Sequence, residues 1–373
     1  MRKYIFFTSI LFFIFSCSKK EYDQNLVEAA LKNHSFYHIS DEDLKKIASK
    51  GIKEIQKIDK NADFIYKEGK IRNEEKSFIK YGPKKFFPAI FILDKEFKVA
   101  KIFENSILYK SDFKKDSQII SINGKKNEEL DASTLKELAE KSQKLDIEYK
   151  NSDKISKIEM KREISSLPFV WDIKISPKTS YVKMISFLKP VSKNLKNILS
   201  PLKEGDNLII DLRNLSGGDF TEAATIANLF INKGENLFSL KSDKEGYNKT
   251  FIAENDKAIN KINIFILTNS NTSLLAEILA AVLKEKLDAK IIGEKTAGKL
   301  YITKIFRAGK NIGLRLTVSK LYPPSGKEIN EPLMPDFEII DKSEKNEFIN
   351  IPFLLNQDEI LMKAIELCEK PKS

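Results

Sequence analysis

The chain has 373 residues, 42% of them hydrophobic and 31% charged, so it can bury one sizeable core and a second, smaller one. Its net charge of +11 comes from 64 Lys and Arg against 53 Asp and Glu. These charges are scattered and form no basic block interleaved with aromatic residues, so we expect a Lys-rich solvated surface and no nucleic-acid partner.

The first 16 residues have the pattern of a bacterial lipoprotein signal peptide. Two basic residues precede an apolar run over 4–15, which is too short to span a bilayer as a finished helix. The run ends in Ser16-Cys17, where a small residue directly before Cys suits cleavage and lipidation. We predict a signal peptide over 1–16, lipidation at Cys17, and a lipid-anchored place in the bacterial cell envelope, facing the periplasm or the exterior. An ordinary signal peptide with an incidental Cys is the alternative.

A tether and a helical segment are predicted over 17–75. The helical pattern places Leu26, Ala29 and Ala30 on one face, and a second set of apolar residues on another: Leu44, Ile47, Ile52 and Ile55.

Both histidines of the chain, His34 and His38, lie in this segment. Residues four apart on a helix can share a metal, but there is no HExxH motif and no carboxylate ligand pattern nearby. We therefore expect surface histidines, no metal site and no cofactor.

The only other cysteine is Cys368, which lies in the predicted C-terminal helical region, 346–373. With Cys17 lipidated, no internal disulfide is expected. No histidine lies near Cys368 in the sequence, so a catalytic thiol is not expected either.

Short β-branched runs alternate with turns over the predicted domain 76–163. Residues 117–125 predict a strand followed by an Asn-Gly turn. With the preceding residues 111–115 and a predicted helix over 134–144, this region resembles a PDZ domain, whose familiar run is "GLKxGDxIxxINGxxV". The loop that would bind a peptide carboxylate, near residues 86–90, lacks the usual glycines, and Pro88 supplies no amide donor. We therefore expect a PDZ-like architecture with a weakened carboxylate pocket.

Strands and helices alternate over 164–345, which predicts an α/β core. Buried strands are predicted at 181–185, 207–211 and 262–267, and helices at 191–202, 223–230 and 273–284. Residues 287–292 then lead into the loop 293–299.

Four segments of this core carry motifs in a fixed order. "DLRNLSGG" at 211–218 resembles the "DLRNNPGG" of tail-specific (carboxyl-terminal processing) proteases. "IFILTNSNTSLLAEI" at 264–278 resembles their "VVLVNxxSASASEI", and "IIGEKTAGK" at 291–299 resembles "VVGExTFGK". "LTVSKLYPPSGKEIN" at 316–330 resembles "LTTARYYTPSGxxIQ". The resemblance implies a ClpP/crotonase-like α/β protease core, with a PDZ-like β domain and a helical N-terminal segment.

The resemblance also implies a Ser–Lys site, in which a Ser attacks the scissile carbonyl and a neutral Lys serves as general base. In the family the Ser lies three residues before a Glu and twenty-five before the Lys. Here Glu277 and Lys299 have the matching spacing, and Asn269 matches on the upstream side. Counting back three residues from Glu277 reaches Leu274, so the nucleophile position holds leucine.

The other site residues match unevenly. Asp211 and Arg213 match as catalytic-site residues, although a structural ion pair is the favoured interpretation. The resemblance places oxyanion donors at Gly217, Gly218 and the amide of Leu275. The family's Gln, four residues after its Lys, is replaced by Thr303. Glu277 could simply cap or pair locally.

Two functions follow from these assignments. The first is a lipid-anchored pseudo-protease that binds extended or unfolded polypeptides. The second is an active serine-type endopeptidase in which Ser273, or Thr272, acts with Lys299. Ser273 is one residue away from the expected position, which on a helix turns a side chain by about 100 degrees. The first function is therefore favoured.

Overall fold

The computed structural model describes residues 22–66, 87–93, 97–104, 106–162, 169–259, 261–340, 353–355 and 358–369. The signal peptide, Cys17 and Phe86 of the loop before Pro88 lie outside these residues. The chain divides into two compact units, Met1–Asn73 with Thr303–Thr317, and Glu74–Ile302 with Val318–Ser373. The predicted domain boundaries at 76–163 and 164–345 stay predictions. No described helix combines the length and the apolar character that crossing a membrane requires.

The helices of the described residues are α1 (Gln24–His34), α2 (Asp41–Lys50), α3 (Ile52–Ile55), α4 (Ala132–Lys141), α5 (Val191–Leu199), α6 (Phe220–Asn228), α7 (Leu275–Leu287) and α8 (Glu359–Glu369). The strands are β1 (Asp63–Tyr66), β2 (Ala89–Leu93), β3 (Lys98–Ile102), β4 (Gln118–Ile122), β5 (Lys125–Lys126), β6 (Lys144–Asn151), β7 (Lys154–Lys161), β8 (Val170–Ser176), β9 (Thr179–Met184), β10 (Asn207–Asp211), β11 (Asn236–Lys241), β12 (Lys249–Ile252), β13 (Asn263–Thr268), β14 (Lys290–Gly293), β15 (Tyr301–Arg307), β16 (Ile312–Tyr322), β17 (Phe337–Glu338) and β18 (Phe353–Leu355).

The first unit packs α1, α2 and α3 with β1 and the first half of β16. Side chains cap α1 and α2 at their amino ends. Asp23 accepts hydrogen bonds from two amides of α1, and Ser40 accepts one from the amide of Asp43. The predicted face of α1 is off by about one residue: Val27, Ala30 and Leu31 are buried, whereas Leu26 and Ala29 are not.

His34 in this unit stacks on Phe306, with 4.2 Å between the ring centroids. Burial, together with the charge of Lys304, lowers the pKa of His34. This environment favours the neutral form of the imidazole, and its ring packs flat against that of Phe306.

The PDZ-like sheet has the order β18-β2-β3-β4-β6-β7, and β5 pairs with β4. The predicted Asn-Gly turn links β4 to β5, with φ of +50° at Asn123 and +80° at Gly124, as a tight hairpin turn requires. The hydrophobic cluster of this region contains five buried aromatic residues: Phe87, Phe91, Phe97, Phe113 and Tyr149. Pro88 lies directly before β2, so the loop predicted to lack amide donors does lead into this strand.

The α/β core is a six-stranded sheet with the order β17-β14-β13-β10-β9-β8. All neighbouring strands are parallel except β8 and β9. Alternate residues of β10 face opposite layers, as period two demands: Leu208 and Ile210 pack with residues of α5, α6 and α7, whereas Ile209 packs with residues of α8. The carboxyl ends of β10, β13 and β14 carry the loops that contain the predicted site residues.

Candidate active site

The loop after β10 is anchored by a buried network of charges. Asp211 is 1% exposed. Its carboxylate accepts hydrogen bonds from the Tyr181 hydroxyl at 2.8 Å and from Arg213 Nη2 at 2.8 Å, and Lys183 Nζ lies 3.1 Å from it. The expected ion pair between Asp211 and Arg213 is therefore present. These side chains bond to one another, and Arg213 also bonds to Asp358 directly before α8, so the network holds the loop in place.

Arg213 also joins this loop to the last helix. Its guanidinium donates two hydrogen bonds to the Asp358 carboxylate, at 2.8 and 2.6 Å. Lys183, Asp211, Arg213 and Asp358 thus balance two positive charges against two negative ones. Burial by itself would raise the pKa of Asp211, but the charges of Arg213 and Lys183 outweigh it and hold that pKa well below its usual range.

Sequence reasoning missed Tyr181, Lys183 and Asp358. A signal was available for the first two, because they lie two apart in the strand that was predicted to precede, in the sequence, the strand ending at Asp211. The register pairs Lys183 with Asp211 directly. Asp358 carried no local signal, since its partner lies far away in the sequence.

The Gly-Gly turn passes close to another segment of backbone. A Cβ at Gly218 would lie 2.6 Å from the Phe187 Cβ and 3.0 Å from the Phe187 carbonyl oxygen, so only glycine fits. The amides of Gly217 and Leu275, both predicted oxyanion donors, donate to no other group of the described residues. They remain available as donors, which is the property that an oxyanion site needs.

The loop after β13 is pinned to the loop after β10 by asparagines. Asn269 Oδ1 accepts from the Asn214 amide at 3.0 Å, and Asn269 Nδ2 donates to Asn214 Oδ1 at 2.9 Å. Thr272 is fully buried and its hydroxyl donates to the Leu212 carbonyl at 3.2 Å. Thr272 therefore connects the two loops, and its hydroxyl is engaged in that contact.

Leu274 adopts a backbone conformation that is rare for leucine. It precedes α7 with φ of +50° and ψ of −115°. Non-glycine residues in such sparsely populated regions cluster at functional sites, as in the sharp turns that present a nucleophile between a strand and a helix. The strained residue is the one at which the spacing predicts the nucleophile.

The backbone of Leu274 lies directly beside that of Lys299. The Leu274 amide donates to the Lys299 carbonyl at 3.1 Å, and the Ala297 amide donates to the Thr272 carbonyl at 2.9 Å. These two bonds align residues 272–274 with residues 297–299. The sequence predicted that these segments meet, and the structure brings them together.

Glu277 holds the loop that carries Lys299. It is fully buried, and its carboxylate accepts from the Thr296 hydroxyl, from the Gly298 amide at 2.9 Å and from the Lys299 amide at 3.1 Å. Burial raises the pKa of Glu277, and these hydrogen bonds oppose that rise. The interpretation of Glu277 as a merely local cap was therefore wrong, since its partners lie across the site.

Ser273 faces the other loop through its hydroxyl. It is 8% exposed, and its Oγ donates to the Ser216 hydroxyl at 2.6 Å. The argument from helical spacing was wrong here, because α7 begins only at Leu275 and the strained turn at Leu274 separates Ser273 from the helix. Sequence reasoning missed Ser216, whose hydroxyl is the hydrogen-bond partner of the Ser273 hydroxyl.

Lys299 and Thr303 are both exposed. The Lys299 ammonium forms no ion pair within the part of the chain that the structure describes. A general-base lysine normally needs a desolvated environment, which an exposed position does not provide. Thr303 lies in β15, in the place where the resemblance expects a Gln.

Comparison with known proteins relates the region that carries these loops to a family of peptidases. Residues 178–339 match peptidase family S41, a span that contains every predicted site residue from Asp211 to Thr303. The carboxy-terminal processing protease CtpA of Bacillus subtilis is 27% identical over 268 residues, 70% of this chain and 56% of that protein. The chloroplastic carboxyl-terminal-processing peptidase 2 of Arabidopsis thaliana is 31% identical over 160 residues, 42% of this chain and 30% of that protein.

The chain spans between 30% and 56% of the length of these curated relatives. A crystal structure from Bacteroides fragilis, assigned to the S41 proteases, matches 98% of this chain and 98% of its own with a TM-score of 0.50 and 14% identity. That likeness shows the fold alone. Residues 178–339 of this chain therefore match peptidase family S41, and the curated relatives that the chain resembles are carboxyl-terminal processing proteases.

Proposed function

We propose that this chain is a lipid-anchored, polypeptide-binding member of its family that lacks Ser–Lys peptidase activity. The observation that carries the proposal is Leu274. It occupies the strained turn before α7, and its amide bonds the Lys299 carbonyl. A leucine side chain offers neither a nucleophile nor a group that can exchange protons.

The scaffold around this position supports binding even without covalent chemistry. Glu277 still fixes the Lys299 loop, and the Gly217 and Leu275 amides still lack partners among the described groups. The PDZ-like sheet offers backbone groups for an added strand, a common mode of polypeptide recognition. Losing a nucleophile removes covalent catalysis but leaves such surfaces in place.

An active endopeptidase that uses Ser273 with Lys299 is the other candidate. Such a peptidase requires the Ser273 hydroxyl to transfer its proton to a neutral Lys299 amine. In the structure that hydroxyl is hydrogen-bonded to the Ser216 hydroxyl instead, and Lys299 is exposed. These contacts favour the binding protein over the peptidase.

The test compares cleavage of casein by four forms of the mature chain: wild type, Ser273→Ala, Lys299→Ala and Leu274→Ser. We expect no cleavage by the first three. Leu274→Ser should show low but measurable cleavage, because the backbone already presents residue 274 beside residue 299. Full activity is not expected, since Thr303 replaces the Gln and Lys299 is exposed. Robust wild-type cleavage that both alanine substitutions abolish would overturn the proposal and make Ser273 the nucleophile.

A further inference from the structure

One edge of the PDZ-like sheet is occupied by the chain itself. Strand β2 pairs with β3 on one side and with β18 on the other. The ladder with β18 is parallel and joins Phe353 to Phe91 and Leu355 to Leu93. β18 therefore comes from near the end of the chain to become the outermost strand of a sheet formed by residues far earlier in the sequence.

The pairing has the form of strand addition. A free sheet edge presents unpaired amide and carbonyl groups, and an extended segment satisfies them by forming a ladder. β18 does this with three consecutive apolar residues, Phe353-Leu354-Leu355. It is thus an intramolecular example of the segment that the edge can hold.

The occupant needs no terminal carboxylate. Residues 353–355 are internal, so they have no free carboxyl group to offer. On the side of the sheet, Pro88 before β2 has no N–H to donate, and its carbonyl is already bonded to the Phe103 amide at 2.8 Å. Recognition at this edge therefore rests on the backbone ladder and on the apolar composition of the added segment.

The occupant is tethered close to the edge. Asp358 lies three residues after β18, and both of its carboxylate oxygens bind Arg213 in the core. Residues Ile360, Leu361 and Ala364 of α8 are buried against the core sheet. A tether of this kind raises the effective concentration of residues 353–355 at β2, while the strand itself spans only three residues.

We infer that the β2 edge is the polypeptide-binding surface of this chain, and that residues 353–355 are its intramolecular competitor. The partner is an extended apolar segment of another polypeptide, which displaces β18 and pairs with β2 whether or not it ends in a free carboxylate. Displacement leaves α8 in place, because the contacts of Arg213 with Asp358 do not involve β18. The inference rests on the polypeptide binding proposed above.

The test uses the full chain in dodecyl maltoside and a fluorescent peptide with the sequence of residues 350–358, made as a free acid and as an amide. Successive amides of a strand point to opposite sides, so one of the two residues Leu354 and Leu355 donates its amide to β2. Both Leu354→Pro and Leu355→Pro are therefore made, and one of them removes the donor. That variant should bind the peptide at least about ten-fold more tightly than wild type, since the tethered competitor is weakened. Leu354→Val keeps the amide and is the matched control, which should bind as wild type does. Acid and amide peptides should bind alike.

Hydrogen exchange on the wild-type chain gives a second measurement that needs no variant. Saturating peptide should speed exchange at the amides of residues 353–355 and leave residues 91–93 protected. Equal binding by all four chains, unchanged exchange at 353–355, or strong preference for the free acid would overturn the inference while the proposed function stands. Absence of peptide binding by every chain would overturn both.

Discussion

Leu274 and Glu277 show how single residues keep the loops of the candidate site assembled. A non-glycine residue with positive φ costs roughly 1–3 kcal/mol unless its surroundings impose it. Here the Leu274 amide is fixed by the Lys299 carbonyl, and the Lys299 amide is fixed by Glu277. The strain is therefore held by a chain of hydrogen bonds that does not involve the side chain at 274.

Replacing Glu277 by Gln tests this chain of bonds. One carboxylate oxygen would become an amide NH₂ group, which accepts no hydrogen bond, so the glutamine side chain could no longer accept from the Gly298 amide on one oxygen and from the Lys299 amide on the other. We expect a loss of about 1–3 kcal/mol in the free energy of unfolding, measured with urea, because a buried donor is left unsatisfied. The control is Glu128→Gln, at an exposed position, which should leave that free energy unchanged. An unaltered stability of Glu277→Gln would mean that the loop is held by other contacts.

Acid should weaken the network around Asp211. Because the pKa of Asp211 in the folded chain lies below its unfolded value, its contribution to stability is fully present above about pH 4 and is lost as the pH falls further. At neutral pH, Asp211→Asn should cost about 3–5 kcal/mol, since it leaves the cations of Lys183 and Arg213 under-compensated. The difference between variant and wild type should shrink below pH 4. Asp153→Asn, in an exposed turn, is the control; a difference independent of pH would contradict the assignment.

At the scale of elements, the last helix depends on the loop after β10. α8 begins where Asp358 caps it, because the Leu361 amide donates to Asp358 Oδ1 at 3.0 Å. The same carboxylate accepts hydrogen bonds from both terminal nitrogens of Arg213, Nη1 and Nη2. Arginine suits this place because its planar fork matches a carboxylate with two bonds, which a lysine ammonium cannot do.

Arg213→Lys should therefore loosen α8 while leaving the net charge unchanged. We expect faster hydrogen exchange over Glu359–Glu369 than in wild type, and little change over α7. The control Lys32→Met removes a surface pair with Asp41, whose two side chains are 58% and 82% exposed, and should not alter exchange in α8. Wild-type exchange in Arg213→Lys would show that apolar packing alone holds the helix.

Much of the elements' order could be predicted, because periodicity marks buried strands well. β10 was predicted with the bounds that the structure has, and the Asn123-Gly124 turn follows from residue types alone. The start of α7 was missed by two residues, since the strained turn at Leu274 leaves no sequence signal. The Arg213–Asp358 pair and β18 were also missed, because tertiary pairing between distant segments has no local pattern.

For the molecule as a whole, the predicted lipoprotein signal determines the expected location of the protein. The short apolar run and Ser16-Cys17 predict cleavage before Cys17 and lipidation of its thiol. Cys368 offers an internal comparison, because burial raises the pKa of its thiol to about 12 and so leaves that group unreactive.

In a bacterial host, Cys17→Ala should abolish partitioning into Triton X-114 and leave the signal peptide unprocessed or the protein soluble. Cys368→Ala should partition and mature as wild type does. Mass spectrometry of the mature amino terminus would show diacylglycerol on Cys17 in wild type and in Cys368→Ala. A Cys17→Ala protein that still matures normally and partitions into detergent would exclude the lipobox.

The two backbone bonds that align residues 272–274 with residues 297–299 bear on how such a gene changes over generations. Both bonds join backbone groups, so the alignment of the two segments does not depend on which side chain the gene encodes at position 274. Some leucine codons differ from serine codons by one base. With such a codon, a single transition would put a hydroxyl at this position without remodelling the fold, and the reverse transition would remove it again. The hydroxyl that the proposed function lacks can therefore be gained or lost at this position by one nucleotide change.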